Sequence, residues 1–366
     1  MDALTIVLFV AGLVLLVAGA ELLVRGASRI AATLGISPLV IGLTIVAFGT
    51  SAPELAVSVS SSLGGNANVA VGNVVGSNIF NVLLILGISS IVAPLAVSRQ
   101  LIRVDVPIMV GVSFLLFALA LDGRIGRIDG MILFGGIVAY TAWAIIASRR
   151  ANAALVAEYA EEFGERETSE GFLLLDALLV IGGLGLLVLG SDWFVGGATE
   201  FAEALGVSDL VIGLTLVAAG TSMPELATSV MASIKGERDI AVGNVVGSNV
   251  FNILSVLGAS GLVVGAGIPV AESALRLDLP VMIGVAVICL PVFLTGRVIS
   301  RWEGLVFVGL YVGYVLYLYV AASGSETLSG PAADVLRGAF PVLAVVFGLL
   351  AVREHRASER AAALRE

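Results

Sequence analysis

Residues 37–90 and 208–261 are two copies of one segment. Laid side by side without gaps they agree at 35 of 54 positions, 171 residues apart. Each copy carries Gly-Thr-Ser-x-Pro-Glu (49–54 and 220–225), followed by Gly-Asn-Val-Val-Gly-Ser-Asn-x-Phe-Asn (72–81 and 243–252). Whatever the first copy folds into, the second must fold into as well. Both copies set carboxylates, hydroxyls, amides, prolines and glycines inside very apolar sequence.

That apolar setting decides the solvent. Only 13% of the 366 residues are charged and the mean hydropathy is +1.08, where soluble domains carry about 25% charged residues. The apolar runs are about 20 residues long, enough to cross ~30 Å of hydrocarbon as helices. A lipid-embedded segment must satisfy its own backbone, and barrel strands would be shorter and alternating. The expected fold is therefore an all-α polytopic membrane protein. Eleven spans are expected, at about 3–24, 37–62, 69–93, 104–121, 128–148, 172–194, 208–234, 240–264, 277–295, 302–321 and 332–352. The segment 149–171, rich in glutamate, reads as a solvated linker or short surface helix.

The two copies begin at the second and seventh spans. Five spans separate them, and an odd number makes the copies enter the membrane in opposite directions. This is an inverted-topology repeat, an architecture whose substrate sites lie near the midplane at the repeat interface. The expected organisation is two five-helix halves, 1–148 and 172–321, joined by a cytoplasmic linker. An extra C-terminal span, 332–352, and a cytoplasmic tail, 353–366, follow. With the N-terminus outside, fifteen basic residues fall on inner segments and four on outer ones. That bias places the C-terminus in the cytoplasm of a multi-pass cell-membrane protein. Trp143 and Trp302 then fall near inner span ends and Trp193 near an outer one. The N-terminus has Asp2 and no basic region, so no cleavable signal is expected.

Thr50 and Glu54 are four residues apart and share a helix face, as do Thr221 and Glu225. A carboxylate deep in a span is costly and marks ion or proton pathways. Two of them repel unless a cation or protons sit between. Pro53 and Pro224 each free the carbonyl four residues earlier, at Gly49 and Gly220. In lipid each freed carbonyl needs a partner, and a bound cation would be one. Ser77 and Asn81, with Ser248 and Asn252, add oxygens at the same spacing. All-oxygen donors suit Ca²⁺, Na⁺ or Mg²⁺ and argue against Zn²⁺ or Cu⁺. Gly72, Gly76, Gly243 and Gly247 form small-xxx-small patterns for close helix approach. Asn78 and Asn249 read as interhelical hydrogen-bonding residues, and Asn73 and Asn244 stay undecided. Glu21 and Asp192 read as interfacial and solvated. Asp105 and Asp278, each two residues before a proline at a span start, read as helix caps or as complements to the helix dipole. The one cysteine, Cys289, reads as packing, and the one histidine, His355, as a solvated tail residue, so no zinc site is expected.

At these motifs the chain resembles the cation/calcium exchanger superfamily, most closely its prokaryotic sodium/calcium exchanger-like members. The resemblance covers both repeats and extends to about 1–321. It implies ten core helices in two inverted halves with a central site for Ca²⁺ and Na⁺, the transported substrates. Carried over by position, the ligands are Thr50, Ser51, Glu54, Ser77 and Asn81, and Thr221, Ser222, Glu225, Ser248 and Asn252. Backbone carbonyls near Ala47 and Ala218 join them. The resemblance also implies that the first and sixth spans slide as a gating pair. Some members carry aspartate where this chain has Asn252, so the site here has two formal negative charges. The function implied is electrogenic Na⁺/Ca²⁺ antiport by alternating access, biased by about 2.3 kcal/mol per net charge per 100 mV. The alternatives are an H⁺/Ca²⁺ or other divalent cation exchanger on the same scaffold and, more distantly, a cation channel. No enzyme activity, cofactor or nucleic-acid partner is expected; membrane lipid is the surrounding medium.

Overall fold

The computed structural model describes residues 3–163, 170–204 and 218–322, with isolated positions between 335 and 349. The described chain is helical nearly throughout. Eight helices are long and apolar enough to span a membrane. They are α1 (Leu4–Leu34), α4 (Val69–Val92), α5 (Leu101–Ala120), α6 (Arg127–Arg150), α7 (Leu173–Ala204), α9 (Arg238–Val263), α10 (Ala274–Leu294) and α11 (Arg301–Ala321). A ninth is broken: α2 (Pro38–Thr50) and α3 (Ala52–Leu63) meet at 43°. The second half of the seventh expected span is α8 (Met223–Lys235), preceded by the short turn Ala218–Gly220. Its first half, and the eleventh span with the tail and His355, lie outside the described residues or touch them only at scattered positions. The protein is thus an all-α polytopic membrane protein. The glutamate-rich connection is a correction in part: the helix that starts at Arg127 continues unbroken to Phe163, so the linker begins as an extension of the fifth span.

The tight turn inside each repeat explains why both copies need glycine there. Gly65 and its counterpart Gly236 have φ of +88° and +80°, a left-handed conformation that a Cβ disfavours. Each turn lets the next helix fold back antiparallel against the one before it, α4 on α3 and α9 on α8. The α9 helix is buried along its whole apolar window and α4 is mostly buried, whereas α1, α6, α7 and α11 show most of theirs. The repeats therefore form the core, and the other spans clothe it and meet lipid.

Helix α1 packs lengthwise against α7, and glycine makes that contact possible. Gly12, Gly19 and Gly26 recur every seven residues on α1, and Gly183, Gly190 and Gly197 do so on α7. A Cβ added at any of the six would stand 2.5–2.8 Å from an atom of the opposite helix. Gly12 meets Gly190 and Phe194, Gly19 meets Gly183, and Gly26 meets Asp176. The residue numbers run in opposite senses, so the helices are antiparallel, as inverted halves require. Two ion pairs cross these elements: Arg29 with Asp176 at 3.5 Å, and Lys235 with Glu21 at 2.7 Å.

Short antiparallel pairings tie the halves together outside the helices. Leu95–Ala96 pairs with Val298–Ile299, and Arg124–Ile125 with Ile268–Pro269. Each joins a loop of one half to a loop of the other that alternation of the spans puts on the same membrane face.

The seam yields a stability test. Gly183→Leu drives a side chain into the α1 backbone, and overpacking of this kind costs about 1–3 kcal/mol. Gly182→Leu, one residue away with nothing within 4 Å of its added Cβ, should be tolerated. Thermal unfolding of the two variants in detergent should show a drop of several degrees for the first and almost none for the second.

Candidate cation site between the repeats

Both broken helices break in the same way. Ser51 has φ −82°, ψ 6° and Ser222 has φ −93°, ψ 8°, the bridge region that follows neither helix nor strand. Each serine stands just before the following helix without capping it with its side chain, a proline occupies that helix's first turn, and the glutamate follows at once. The break thus exposes the C-terminal carbonyls of one half-helix beside the carboxylate of the next, an arrangement suited to cations.

The inverted repeat then crosses the two sets of side chains. Ser222 Oγ donates to Glu54 Oε1 at 2.8 Å and lies 3.1 Å from Ser77 Oγ. Ser51 Oγ donates to Glu225 Oε1 at 3.1 Å. So each glutamate is held by the serine of the other repeat. Glu54 and Glu225 are both fully buried. Among the described residues the ion pairs lie elsewhere, and no basic group touches either carboxylate.

Asparagine joins the copies a second time. Asn73 Nδ2 donates to the Glu54 carbonyl and to Ser58 Oγ, and its Oδ1 accepts from Thr221. Asn244 does the same with the Glu225 carbonyl, Ser229 and Thr50. These two residues, undecided from sequence, hold the backbone of one carboxylate and the hydroxyl of the opposite repeat. Asn78 and Asn249 make the interhelical bonds expected of them, including Asn78 Nδ2 to the Asn249 carbonyl at 3.2 Å.

Several oxygens of the expected ligands are left over. Glu54 Oε2, Glu225 Oε2, Asn81 Oδ1, Asn252 Oδ1 and Ser248 Oγ are buried without a hydrogen-bond partner. Stranding buried polar atoms is costly, and these five belong to the residues expected to bind a cation. All are oxygens. Asn81 and Asn252 each open a π-helical stretch, Asn81–Leu86 and Asn252–Leu257, the kind of local rewinding often found at functional sites. No cluster of three or more His, Cys, Asp or Glu occurs among the described residues, so neutral oxygens must complete any coordination shell.

The twelve expected ligand positions divide clearly. Thr50, Ser51, Glu54, Ser77, Asn81, Ser222, Glu225, Ser248 and Asn252 are buried between the repeats. Thr221 is half-buried and engaged by Asn73. The Ala47 carbonyl accepts the Ser51 N–H at 3.0 Å and lies 3.4 Å from the Thr50 hydroxyl. Ala218 opens the turn before the second break.

Three expectations need correction. The carbonyl freed by Pro224 does not wait for a cation: Ser191 Oγ of α7 donates to the Gly220 oxygen at 2.6 Å. The position 171 residues before Ser191 is Ala20, so the first repeat has no equivalent hydroxyl. Asp105 and Asp278 cap nothing with their side chains. They accept from Tyr140 at 3.1 Å and Tyr314 at 2.9 Å, hydroxyls carried by the next span of each half. Glu21 is not simply solvated but paired with Lys235. Of the small-residue patterns, Gly243 and Gly247 pack on Leu39 and Leu43 of α2. Gly72 and Gly76 instead line a cavity of about 240 Å³ with Asp278, Tyr311 and Tyr314. Cys289 is buried packing, as expected.

Comparison with known proteins comes to the same place. The family described as "Sodium/calcium exchanger protein" matches residues 4–146 and 175–320. The sodium/calcium exchanger MaX1 of Methanosarcina acetivorans is 35% identical over 350 residues, covering 87% of this chain and 99% of the relative. The inner membrane protein YrbG of Escherichia coli is 36% identical over 318 residues, covering 86% and 97%. A solved structure of the sodium-calcium exchanger NCX_Mj superposes with a TM-score of 0.72 at 31% identity, covering 85% of this chain and 98% of that one.

Asn244 tests the cross-repeat framework. Asn244→Ala removes its amide bonds to the Glu225 carbonyl and the Ser229 hydroxyl and the acceptor it gives the Thr50 hydroxyl, about 1 kcal/mol for each buried hydrogen bond lost. Its unfolding temperature should fall clearly below that of the wild type, while Asn66→Ala, at an exposed turn, should leave it unchanged.

Proposed function

This chain belongs to the sodium/calcium exchanger protein family, and from that premise we propose that it exchanges Na⁺ for Ca²⁺ across the cell membrane by alternating access. The observation that carries the reading is the group of buried, unpartnered oxygens around two carboxylates that have no basic partner. Glu54 and Glu225 bind one Ca²⁺ near charge neutrality. Thr50, Ser51, Ser77 and Asn81, with Thr221, Ser222, Ser248 and Asn252, supply neutral oxygens, and the Ala47 and Ala218 carbonyls complete the shell. Calcium takes six to eight oxygens at about 2.3–2.6 Å, which this set can provide. Several Na⁺ occupy the same oxygens in turn. Because both ions need the same two carboxylates, their occupancies exclude one another, and that competition is the exchange.

The access step is assigned to α1 and α7. Their glycine seam holds the two helices backbone against backbone as one unit, and that unit shifts along the core while the repeats stay assembled. The chain carries its N-terminus outside and its C-terminus in the cytoplasm. A C-terminal fusion to a fluorescent protein should therefore glow in cells, and one to alkaline phosphatase should be inactive.

The test uses purified protein in sealed liposomes. Ca²⁺ uptake should require an outward Na⁺ gradient and ignore a pH gradient. Uptake driven by protons alone would place the protein among proton-coupled exchangers; flux without counter-ion saturation would make it a channel. Glu54→Gln and Glu225→Gln should each lower Ca²⁺ uptake on the order of a hundredfold, the ~3 kcal/mol scale of leaving a buried charge uncompensated. Wild-type rates in either variant would remove the site assignment.

A further inference from the structure

An asparagine ligand has a problem that a carboxylate does not. One end of its amide is an acceptor and the other a donor. Only the oxygen can face a cation. Asn81 and Asn252 both leave Oδ1 free and bury it, and something must stop each amide from turning over.

The neighbouring asparagines do this, and their own orientation is forced. Asn78 Nδ2 donates to the Asn249 backbone carbonyl at 3.2 Å and lies 3.7 Å from Met282 Sδ. Asn249 Nδ2 donates to the Asn78 carbonyl at 3.4 Å and lies 3.5 Å from Met109 Sδ. A carbonyl oxygen and a thioether sulfur can accept hydrogen bonds but never donate them. Turning either amide over would set oxygen against oxygen and sulfur in a buried interior. The nitrogen ends are therefore fixed, and each oxygen end must point the other way. There Asn78 Oδ1 accepts from Asn252 Nδ2 at 3.1 Å, and Asn249 Oδ1 accepts from Asn81 Nδ2 at 3.0 Å. Both ligand amides thereby have their nitrogen end occupied and their oxygen end directed away from it.

We propose that Asn78 and Asn249 are positioning residues that turn the Asn252 and Asn81 amides oxygen-first toward the transported cation. The proposal rests on the assignment of Asn81 and Asn252 as ligands. It has a consequence for residue choice. Asn78 and Asn249 each present an acceptor, so the ligand positions must offer a hydrogen. A carboxylate at position 252 would meet Asn78 Oδ1 with nothing to donate. Its advantage, oxygens at both ends, is of use only when the orienting acceptor is gone.

That reasoning predicts rescue, which a purely structural role would not produce. In proteoliposomes, Asn78→Ala should raise the KM for Ca²⁺ about tenfold or more, the scale of outer-shell losses at metal sites, with kcat changing less. Asn252→Asp alone should also raise KM. The double variant N78A/N252D should return KM to within a few-fold of wild type. N249A and N81D should form a second, independent rescuing pair, available if N78A fails to give monodisperse protein. The crossed pair N78A/N81D should show no rescue. Unchanged KM in folded N78A, additive losses in both matched pairs, or equal rescue by the crossed pair would overturn the proposal while leaving exchange intact. Failure of the wild type to take up Ca²⁺ would remove the transport reading itself, and this proposal with it.

Discussion

Inside hydrocarbon a polar atom is matched by the protein or by nothing. The centre of this structure is arranged by that constraint. The helix breaks at Ser51 and Ser222 free backbone groups where no water can reach them. Ser191 answers one, giving its hydroxyl to the Gly220 carbonyl. Asn73 and Asn244 add a further tie, placing amide hydrogens on the carbonyls of the two glutamates just beyond the breaks. After this matching, oxygens of Glu54, Glu225, Asn81, Asn252 and Ser248 are among the buried groups left without a partner. Four of these five are acceptors only, and the fifth is a hydroxyl. Such a set is better suited to a hard cation than to an anion.

The inverted repeat is what makes such a site affordable from one short motif. Each copy supplies a serine to the other copy's carboxylate and an asparagine to the other copy's threonine. Neither half is satisfied alone. Symmetry is tightest at this centre and relaxes outward. Ser191 answers to Ala20, and Lys235, which pairs with Glu21, answers to Gly64. The central groups bridge the two copies to each other, whereas the periphery only has to hold two differently packed halves together.

Packing follows a parallel division of labour. Where backbones must meet, glycine appears: along the seam of α1 and α7, and where Gly243 and Gly247 admit Leu39 and Leu43. Close approach of this kind is the main attraction available between helices whose side chains are as apolar as the lipid. The aspartates at the span starts, Asp105 buried and Asp278 half-buried, sit outside this scheme. Asp105 and Asp278 are each tied by a tyrosine hydroxyl to the next span of their own half, fastening the outer helices in pairs.

The sequence by itself determined the solvent, the helical class, the duplication and the opposed directions of the copies. It also determined which residue types make up the site. These follow from local quantities: runs of about 20 apolar residues, an odd count of spans between copies, and polar groups four apart on one helix face. It misjudged Asp105, Asp278 and the Gly220 carbonyl, because in each case the partner lies on another helix, 29 to 36 residues away. It left Asn73 and Asn244 open for the same reason, since each holds two partners of its own copy and one of the other. Only the tertiary structure decided which oxygens face one another and which amides are turned oxygen-first. Side-chain spacing along one helix says which residues share a face; which donors and acceptors oppose that face depends on contacts about 170 residues apart in the chain, and those exist only once the two halves have come together.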